Sequence, residues 1–407
     1  MMRINEWCHM LKIIFPSTLF ILACLLTVPS IAAQEAAQGA AQGAEQDAAQ
    51  GAEQGTEYGG DEYAQGIEWA IGNAGDNADI FYRIYQECPD EWREGAAFLV
   101  ANMPVVDLAV MDYDTFMNNL RLAYEARETF PYAKAISNED FLHYVLPYRV
   151  SQEPVEDWRP FFYEKAKELA GNARTIGEAV AAIDMWAGTV IAYKPTERRD
   201  QGPFETLKSG YGRCEEMMIF YIDAYRAAGI PARQAWTPYW PHCDDNHAWT
   251  EYMTEDGEWH FPPAARAALV MSVPFGIPRP EAKVELYRVV AGDNPYAIIN
   301  STSAYKPTSE LRIELYDENG EPVDKANVFV YVFNYGALRP IAKMETSEEG
   351  GCSISIGEGD YLITGGTEGQ GAAKVVHAFR DEVMTYELIL GNIDIPESFW
   401  LKYPLPK

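Results

Sequence analysis

Ser209-Gly210-Tyr211-Gly212-Arg213-Cys214-Glu215-Glu216 is the stretch on which the reading of this chain turns. A short glycine-containing turn gives way at Cys214 to a helix predicted over 214–228, which Gly229-Ile230-Pro231 closes. Glycine accepts the left-handed cap and proline cannot continue the helical ladder, so the pair is a strong stop signal. A thiol in the first helical turn faces unpaired backbone N–H groups and the positive end of the dipole, a setting that favours thiolate. A buried, inert helix cysteine fits the same turn equally well. What separates the two is a partner. Asp244-Asp245-Asn246-His247-Ala248-Trp249 supplies a base at His247.

The segment between them changes period. Residues 233–237 read as a strand, and 247–253 alternate as a second one. Glu255-Asp256-Gly257-Glu258 is a hairpin turn, and Trp259-His260-Phe261 begins the return. Helix, strand and hairpin therefore follow in order, with Cys214 on the helix and His247 on the first hairpin strand. Upstream, residues 65–148 space their apolar side chains by three and four, as at Phe81, Ile84 and Tyr85 or Phe116, Leu120 and Ala123, which predicts helices. Asn138-Glu139-Asp140 opens a further helix that Pro147 ends, and 157–169 and 175–192 are amphipathic, the second opened by Thr175 with Glu178 three residues on. From Thr308 the pattern is β: 311–316, 328–333, 354–356, 361–364, 375–379 and 383–390 alternate between Gly and Asn turns. Short strands at that spacing predict an antiparallel sandwich.

Length and composition bound the rest. At 407 residues and 48% hydrophobic, the chain can bury a sizeable core in two or three domains. A net charge of −29 repels phosphate backbones, so nucleic acid is not expected as a partner. Arg3 and Lys12, the apolar run 19–28 and Ser30-Ile31-Ala32 read as a secretory signal peptide over 1–32. Lipid attachment at Cys24 is disfavoured, because the apolar run continues past it. No other stretch is apolar enough to span a bilayer, which leaves an extracytoplasmic protein, secreted or associated with the cell envelope. Residues 33–66 are a degenerate Ala/Gln/Gly/Glu repeat, expected to be a flexible linker. Cys88, Cys214, Cys243 and Cys352 remain after export in no metal-like spacing; Cys88 could pair with Cys243 or Cys352, which the sequence leaves open. Neither a metal nor a cofactor is expected.

Three blocks, Gly212-Arg213-Cys214-Glu215-Glu216, Gly229-Ile230-Pro231-Ala232-Arg233 and Asp245-Asn246-His247-Ala248-Trp249 with Trp259, resemble in order and spacing the transglutaminase-like superfamily. Leu146-Pro147-Tyr148-Arg149-Val150, Glu153-Pro154 and Asp157-Trp158, together with the downstream sandwich, resemble its secreted bacterial members. The resemblance implies an α+β fold: a helical region over 67–160, a papain-like, transglutaminase-like core over 161–305, an all-β sandwich over 306–392 and a Pro-containing tail over 393–407. It also implies acyl transfer, with Cys214 as nucleophile and His247 as base, on a peptide or protein substrate. Trp240 resembles the aromatic that lines such clefts, although an ordinary core indole is equally compatible. The family's acid, a few residues beyond the Trp of the returning strand, falls at Pro263, and 259–266 carry no carboxylate. Asp244, Asp245 or Asn246 could stand in, and His260 is a lesser candidate for a second base. Arg213 reads as a surface cation, and Glu215 and Glu216 as capping or solvated residues. The expected activity is a cysteine peptidase or amidase working through a thioester. The alternatives are a catalytically impaired peptide- or glycan-binding module, or a cross-linking transglutaminase.

Overall fold

The computed structural model describes residues 63–195, 200–241, 243–261, 268–273, 286–287 and 298–395. The signal peptide with Cys24, the linker up to residue 62, His242, Pro263 and the tail beyond residue 395 lie outside the described residues.

Helices come first. Ala64–Asn73 (α1), Ala78–Glu87 (α2), Arg93–Ala101 (α3), Tyr113–Thr129 (α4), Arg159–Ala170 (α5) and Ile176–Val190 (α6) precede Cys214–Ala227 (α7), on which α4, α5 and α6 pack. Thr175 caps α6, its hydroxyl accepting the Glu178 N–H at 3.2 Å. The helix foreseen after Ser137 forms as Asn138–Asp140 and then widens into a π-turn over Phe141–Val145. The carbonyls beyond that turn are gathered by two buried guanidiniums. Arg159 donates to the carbonyls of Val145, Leu146, Pro147 and Arg226, and Arg226 to those of Tyr144, Arg149 and Ala232. Each cation is thereby hydrogen-bonded rather than left bare in an apolar medium. Buried side chains from Ile67 to Ala248 form one continuous core with α7 near its centre.

The helix α7 ends in a Schellman cap: Ile230 N–H donates to Tyr225 C=O and Gly229 N–H to Arg226 C=O, both at 3.0 Å. Gly229 takes φ +72°, and a Cβ there would lie 2.8 Å from Ala133 Cβ. Ala232–Thr237 (β1) then runs back along the helix. His247–Met253 (β2), Trp259–His260 (β3), Met271–Val273 (β4), Leu286–Tyr287 (β5) and Ile298–Asn300 (β6) complete a sheet ordered β3-β2-β1-β4-β6-β5.

The β region consists of Ser309–Tyr316 (β7), Asn327–Asn334 (β8), Ala337–Glu345 (β9), Gly351–Ile356 (β10), Gly359–Thr367 (β11), Gln370–Ala378 (β12), Val383–Ile389 (β13) and Ile393–Asp394 (β14). Sheets β9-β8-β11-β12-β14 and β10-β7-β13 face each other across a second core that includes Leu311, Ile313, Val328, Val330 and Ile363. Two pairings, β13 with β7 and β14 with β12, are parallel, where an antiparallel sandwich was expected. Strand β9 was not foreseen. Arg339 and Pro340 interrupt its alternation, and its register with β8 shifts between Val330 and Tyr331. The described cysteines are all free thiols, so neither Cys88–Cys243 nor Cys88–Cys352 is bridged.

Asp223, fully buried on α7, has a carboxylate that makes no hydrogen bond. Desolvation first, then the charge of Glu153, pushes its pKa well above the usual carboxylate range, against the opposing pull of Arg226 and Arg159. A raised folded-state pKa means the native state holds a proton that the unfolded chain releases. Stability is therefore lost as pH climbs above the unfolded Asp pKa. Asp223→Asn should melt at a higher temperature than the parent at pH 8, with the gap closing towards pH 4; equal melting temperatures at pH 8 would refute this. Gly229→Ala, strained in backbone and crowded by Ala133, should cost at least about 1 kcal/mol in urea unfolding.

Candidate active site

Topology brings the residues predicted as nucleophile and base to one end of the α7–sheet layer. The turn at Gly229 reverses the chain: the end of α7 is tied to the start of β1 by Arg226 and Ala232 C=O and to the end of β2 by Tyr225 and Tyr252, so β1 runs back towards the helix start. Thr237, its last residue, pairs with His247 in the β1–β2 ladder, which sets the start of β2 towards the same end as Cys214.

The helix start is heavily charged. Glu216, fully buried, accepts the Arg213 N–H at 2.7 Å and caps the helix. Gly212 lies so close that a Cβ there would come within 2.9 Å of Glu216 Cβ. Glu215 accepts from Ser151 Oγ at 2.7 Å, and desolvation raises its pKa. Arg213, expected at the surface, is half-buried and paired with Asp200, with Glu215 at 3.6 Å and with Glu216 at 3.4 Å. Three carboxylates share that one cation, so it carries little free positive charge towards the thiol. Cys214 itself is half-buried at the edge of the core. Burial pushes the Cys88 and Cys352 thiols up to about 11, which makes them poor nucleophiles at neutral pH.

Around His247 the setting is aromatic. The Trp240 ring centroid lies 6.4 Å away with its plane tilted by 27°, and the Trp249 centroid 5.5 Å away at 32°. Desolvation lowers the imidazole pKa below its ordinary value, while the Asp245 charge opposes it. The residue is solvent-accessible, yet the flanking indoles exclude enough water to favour the neutral, proton-accepting ring. Strand alternation puts His247 on the same face as Trp249 and Glu251, while Ala248 and Tyr252 join the core that holds α7. Among the described residues the ring makes no hydrogen bond, to Cys214 Sγ or to any carboxylate.

The candidates for an orienting acid divide by what already holds them. Asp245 spends a carboxylate oxygen on the Asn246 N–H at 2.9 Å and acts on the ring through charge. Asp244 accepts the Tyr335 N–H at 2.6 Å, and Asn246 is exposed. Pro263 lies outside the described residues. His260 stacks on Tyr252 at 5.4 Å and bonds Thr254 Oγ1 at 3.1 Å, at the opposite end of β2 from His247. Sequence reasoning missed a buried relay on the His247 face of β2. Trp249 Nε1–H donates to Tyr305 Oη at 2.7 Å, and Tyr305 O–H donates to Glu251. Glu251 also takes Arg233 Nε–H at 2.5 Å, and that guanidinium lies 3.7 Å from the Trp259 ring centroid. This relay fixes the plane of the Trp249 indole beside the imidazole. The alternation of Trp249 and Glu251 with His247 was the only sequence signal for it.

A half-buried thiol at a helix start, with an imidazole entering on the adjacent hairpin, places this core in the papain-like α+β class. Residues 163–261 match the model of the transglutaminase-like superfamily, and this part of the chain is a transglutaminase-like domain, in line with the resemblance read from the three sequence blocks. No curated protein matches the chain. Among solved structures it is similar to a candidate cysteine protease from Cytophaga hutchinsonii, at 13% identity and TM-score 0.26, over 64% of each chain. A candidate protease from Parabacteroides distasonis matches at 14% identity and TM-score 0.25, over 52% of this chain and 36% of the other. The minor pilin GBS52 of Streptococcus agalactiae matches at 12% and 0.18, over 37% of this chain and 69% of that one. The chain spans less than two thirds of the length of either protease, and at these TM-scores the three likenesses carry no argument about function. No described helix is long and apolar enough to cross a membrane, and no cluster of metal-ligating side chains occurs among the described residues.

Asp245→Asn removes the one charge that favours the imidazolium, so the NMR titration midpoint of His247 should fall further below the ordinary histidine range. An unchanged or raised midpoint would show that Asp245 does not act on the ring.

Proposed function

We propose that this protein is an exported thiol amidase or peptidase, with Cys214 as nucleophile and His247 as general base and acid. What supports this reading is that the starts of α7 and of β2, which carry Cys214 and His247, fall at one end of the layer, inside a segment matching the transglutaminase-like superfamily. Neutral His247 takes the proton of Cys214 Sγ, and the thiolate attacks the amide carbonyl of a peptide or isopeptide bond. The backbone N–H of Cys214, in the first turn with no carbonyl four residues back, is a donor for the oxyanion. The C–N bond breaks as the imidazolium gives its proton to the leaving amine, leaving a thioester. Water then attacks with His247 as base, the acid is released and the thiolate is restored. Since Sγ and the ring share no hydrogen bond at rest, the His247 side chain must shift before the pair can act.

A second reading has its own support. No carboxylate contacts the ring among the described residues, and residues 259–267 contain none. An unoriented imidazole can hold the wrong tautomer, which leaves a module that binds peptide without cleaving it. Alkylation by iodoacetamide, read residue by residue by mass spectrometry, separates the two. The active enzyme should label Cys214 at pH 7 at least about tenfold faster than free cysteine in solution, and His247→Ala should abolish that advantage. A rate no greater than that of free cysteine would favour the binding module. Hydrolysis of peptide amides should fall by about 10² or more in His247→Ala. Transfer of a labelled amine to a Gln peptide, in place of hydrolysis, would mark a cross-linking enzyme.

A further inference from the structure

The loop that carries His247 is held from outside its own domain. Strands β8 and β9 meet in a two-residue turn, Tyr335-Gly336, and the residue before it, Asn334, is fully buried. The Asn334 amide nitrogen lies 2.6 Å from Cys243 O, 2.8 Å from Trp240 O and 3.2 Å from Asp245 O. One side-chain amide thus gathers three carbonyls of the segment 240–245, whose ends are also joined by Trp240 N–H to Asp245 O at 3.0 Å. The Tyr335 N–H reaches Asp244 Oδ1 at 2.6 Å, and the Tyr335 hydroxyl lies 3.5 Å from Asp245 Oδ1. The Arg339 guanidinium lies 5.7 Å from the Tyr239 ring centroid, on the same stretch. Tyr335 holds φ +50°, a left-handed conformation that a bulky side chain rarely takes, with Gly336 at +67° beside it. Such strain persists only where the surroundings over-determine it, and it clusters at functional sites.

We infer that Asn334, at the tip of the sandwich hairpin β8–β9, is a positioning residue for His247, so that the β-sandwich forms part of the working site. The route is short. Asn334 fixes the 240–245 backbone, which sets the Trp240 indole beside the imidazole and the Asp245 charge two residues before it. Loosening that backbone takes the Trp240 indole and the Asp245 charge away from the ring, so its shift towards Cys214 no longer starts from one fixed setting. This inference rests on the thiol–imidazole reading of the site.

Asn334→Asp keeps the shape, removes the donor and turns a carboxylate against three carbonyls; Asn334→Ala removes the amide without adding charge. Each would be compared in the full-length chain with Val330→Ala, a cavity in the same strand that does not touch the loop. The readouts are the iodoacetamide rate of Cys214 from pH 5 to 9 and the NMR titration midpoint of His247. Either Asn334 variant should slow Cys214 labelling at pH 7 about tenfold or more and shift the His247 midpoint, whereas Val330→Ala, at equal or greater loss of melting temperature, should do neither. Combined with His247→Ala, Asn334→Asp should add nothing to the loss, because both remove one coupled function. A normal labelling profile in both Asn334 variants, or an additive loss in the double variant, overturns the inference while leaving the enzyme reading intact. If His247→Ala alone leaves Cys214 labelling unchanged, the enzyme reading fails and takes this inference with it.

Discussion

The turn at Gly229 sets the geometry on which the candidate site depends. Its left-handed backbone lets α7 stop within a residue of Ala228 and lets β1 start at Ala232, so the strand has no choice but to run back along the helix. A longer or looser connection would let β1 slide, and a slip of one residue would turn every side chain of the sheet to the other face. The same turn packs against Ala133, and the carbonyls of Ala232 and Arg149 are both held by Arg226, which ties the reversal to the helical layer. The starts of α7 and of β2 fall at one end of the layer because the helix, the turn and the ladder pairing Thr237 with His247 leave one arrangement.

Charge around the thiol works against a simple picture of thiolate activation. A helix start offers positive potential, yet Glu215, Glu216 and Asp200 crowd the first turn and occupy Arg213. The role of Glu216 is structural, since it caps α7 from a fully buried position, and its pairing with Arg213 keeps that burial tolerable. With three carboxylates against one guanidinium and about half a unit of dipole charge, the formal balance at the helix start is negative. In the proposed reaction, activation of Cys214 would therefore rest on His247 as a neutral base rather than on a standing positive field, and desolvation of the imidazole favours that neutral form.

Much of this was legible because its signals are local. The cysteine before a helix, the Gly-Ile-Pro stop, the alternation of His247 to Met253 and the turn at Gly257 each act over a few residues, and each element formed where its pattern lay. What escaped depends on partners far apart in the chain. Strand β9 carries Arg339 and Pro340 at positions that spoil its alternation, and only its pairing with β8 fixes it as a strand. Arg213 looked like a surface cation because nothing nearby in sequence shows that Asp200 folds back on it. The Trp249–Tyr305–Glu251–Arg233 relay joins three segments, and the Asn334 clamp reaches across some ninety residues. No period or spacing encodes a contact of that kind.

Among the described residues no carboxylate bonds the imidazole, and the groups around the ring take up part of that role. In a Cys-His-Asp arrangement the carboxylate does two jobs: it fixes the ring plane and it selects the tautomer. Here the plane has another source. The Trp249 indole is anchored by its hydrogen bond to Tyr305, and Trp240 sits in a loop tied down through its carbonyl, so two near-parallel rings limit how the imidazole can tilt. Stacking, however, does not distinguish Nδ1 from Nε2. Tautomer selection needs an acceptor along one nitrogen, and the charge of Asp245 gives direction without a bond. The arrangement thus divides the acid's work, with geometry kept by aromatic packing and electrostatics left to a solvent-exposed carboxylate. Such a pair orients an imidazole while stabilising its charged form less than a buried aspartate does.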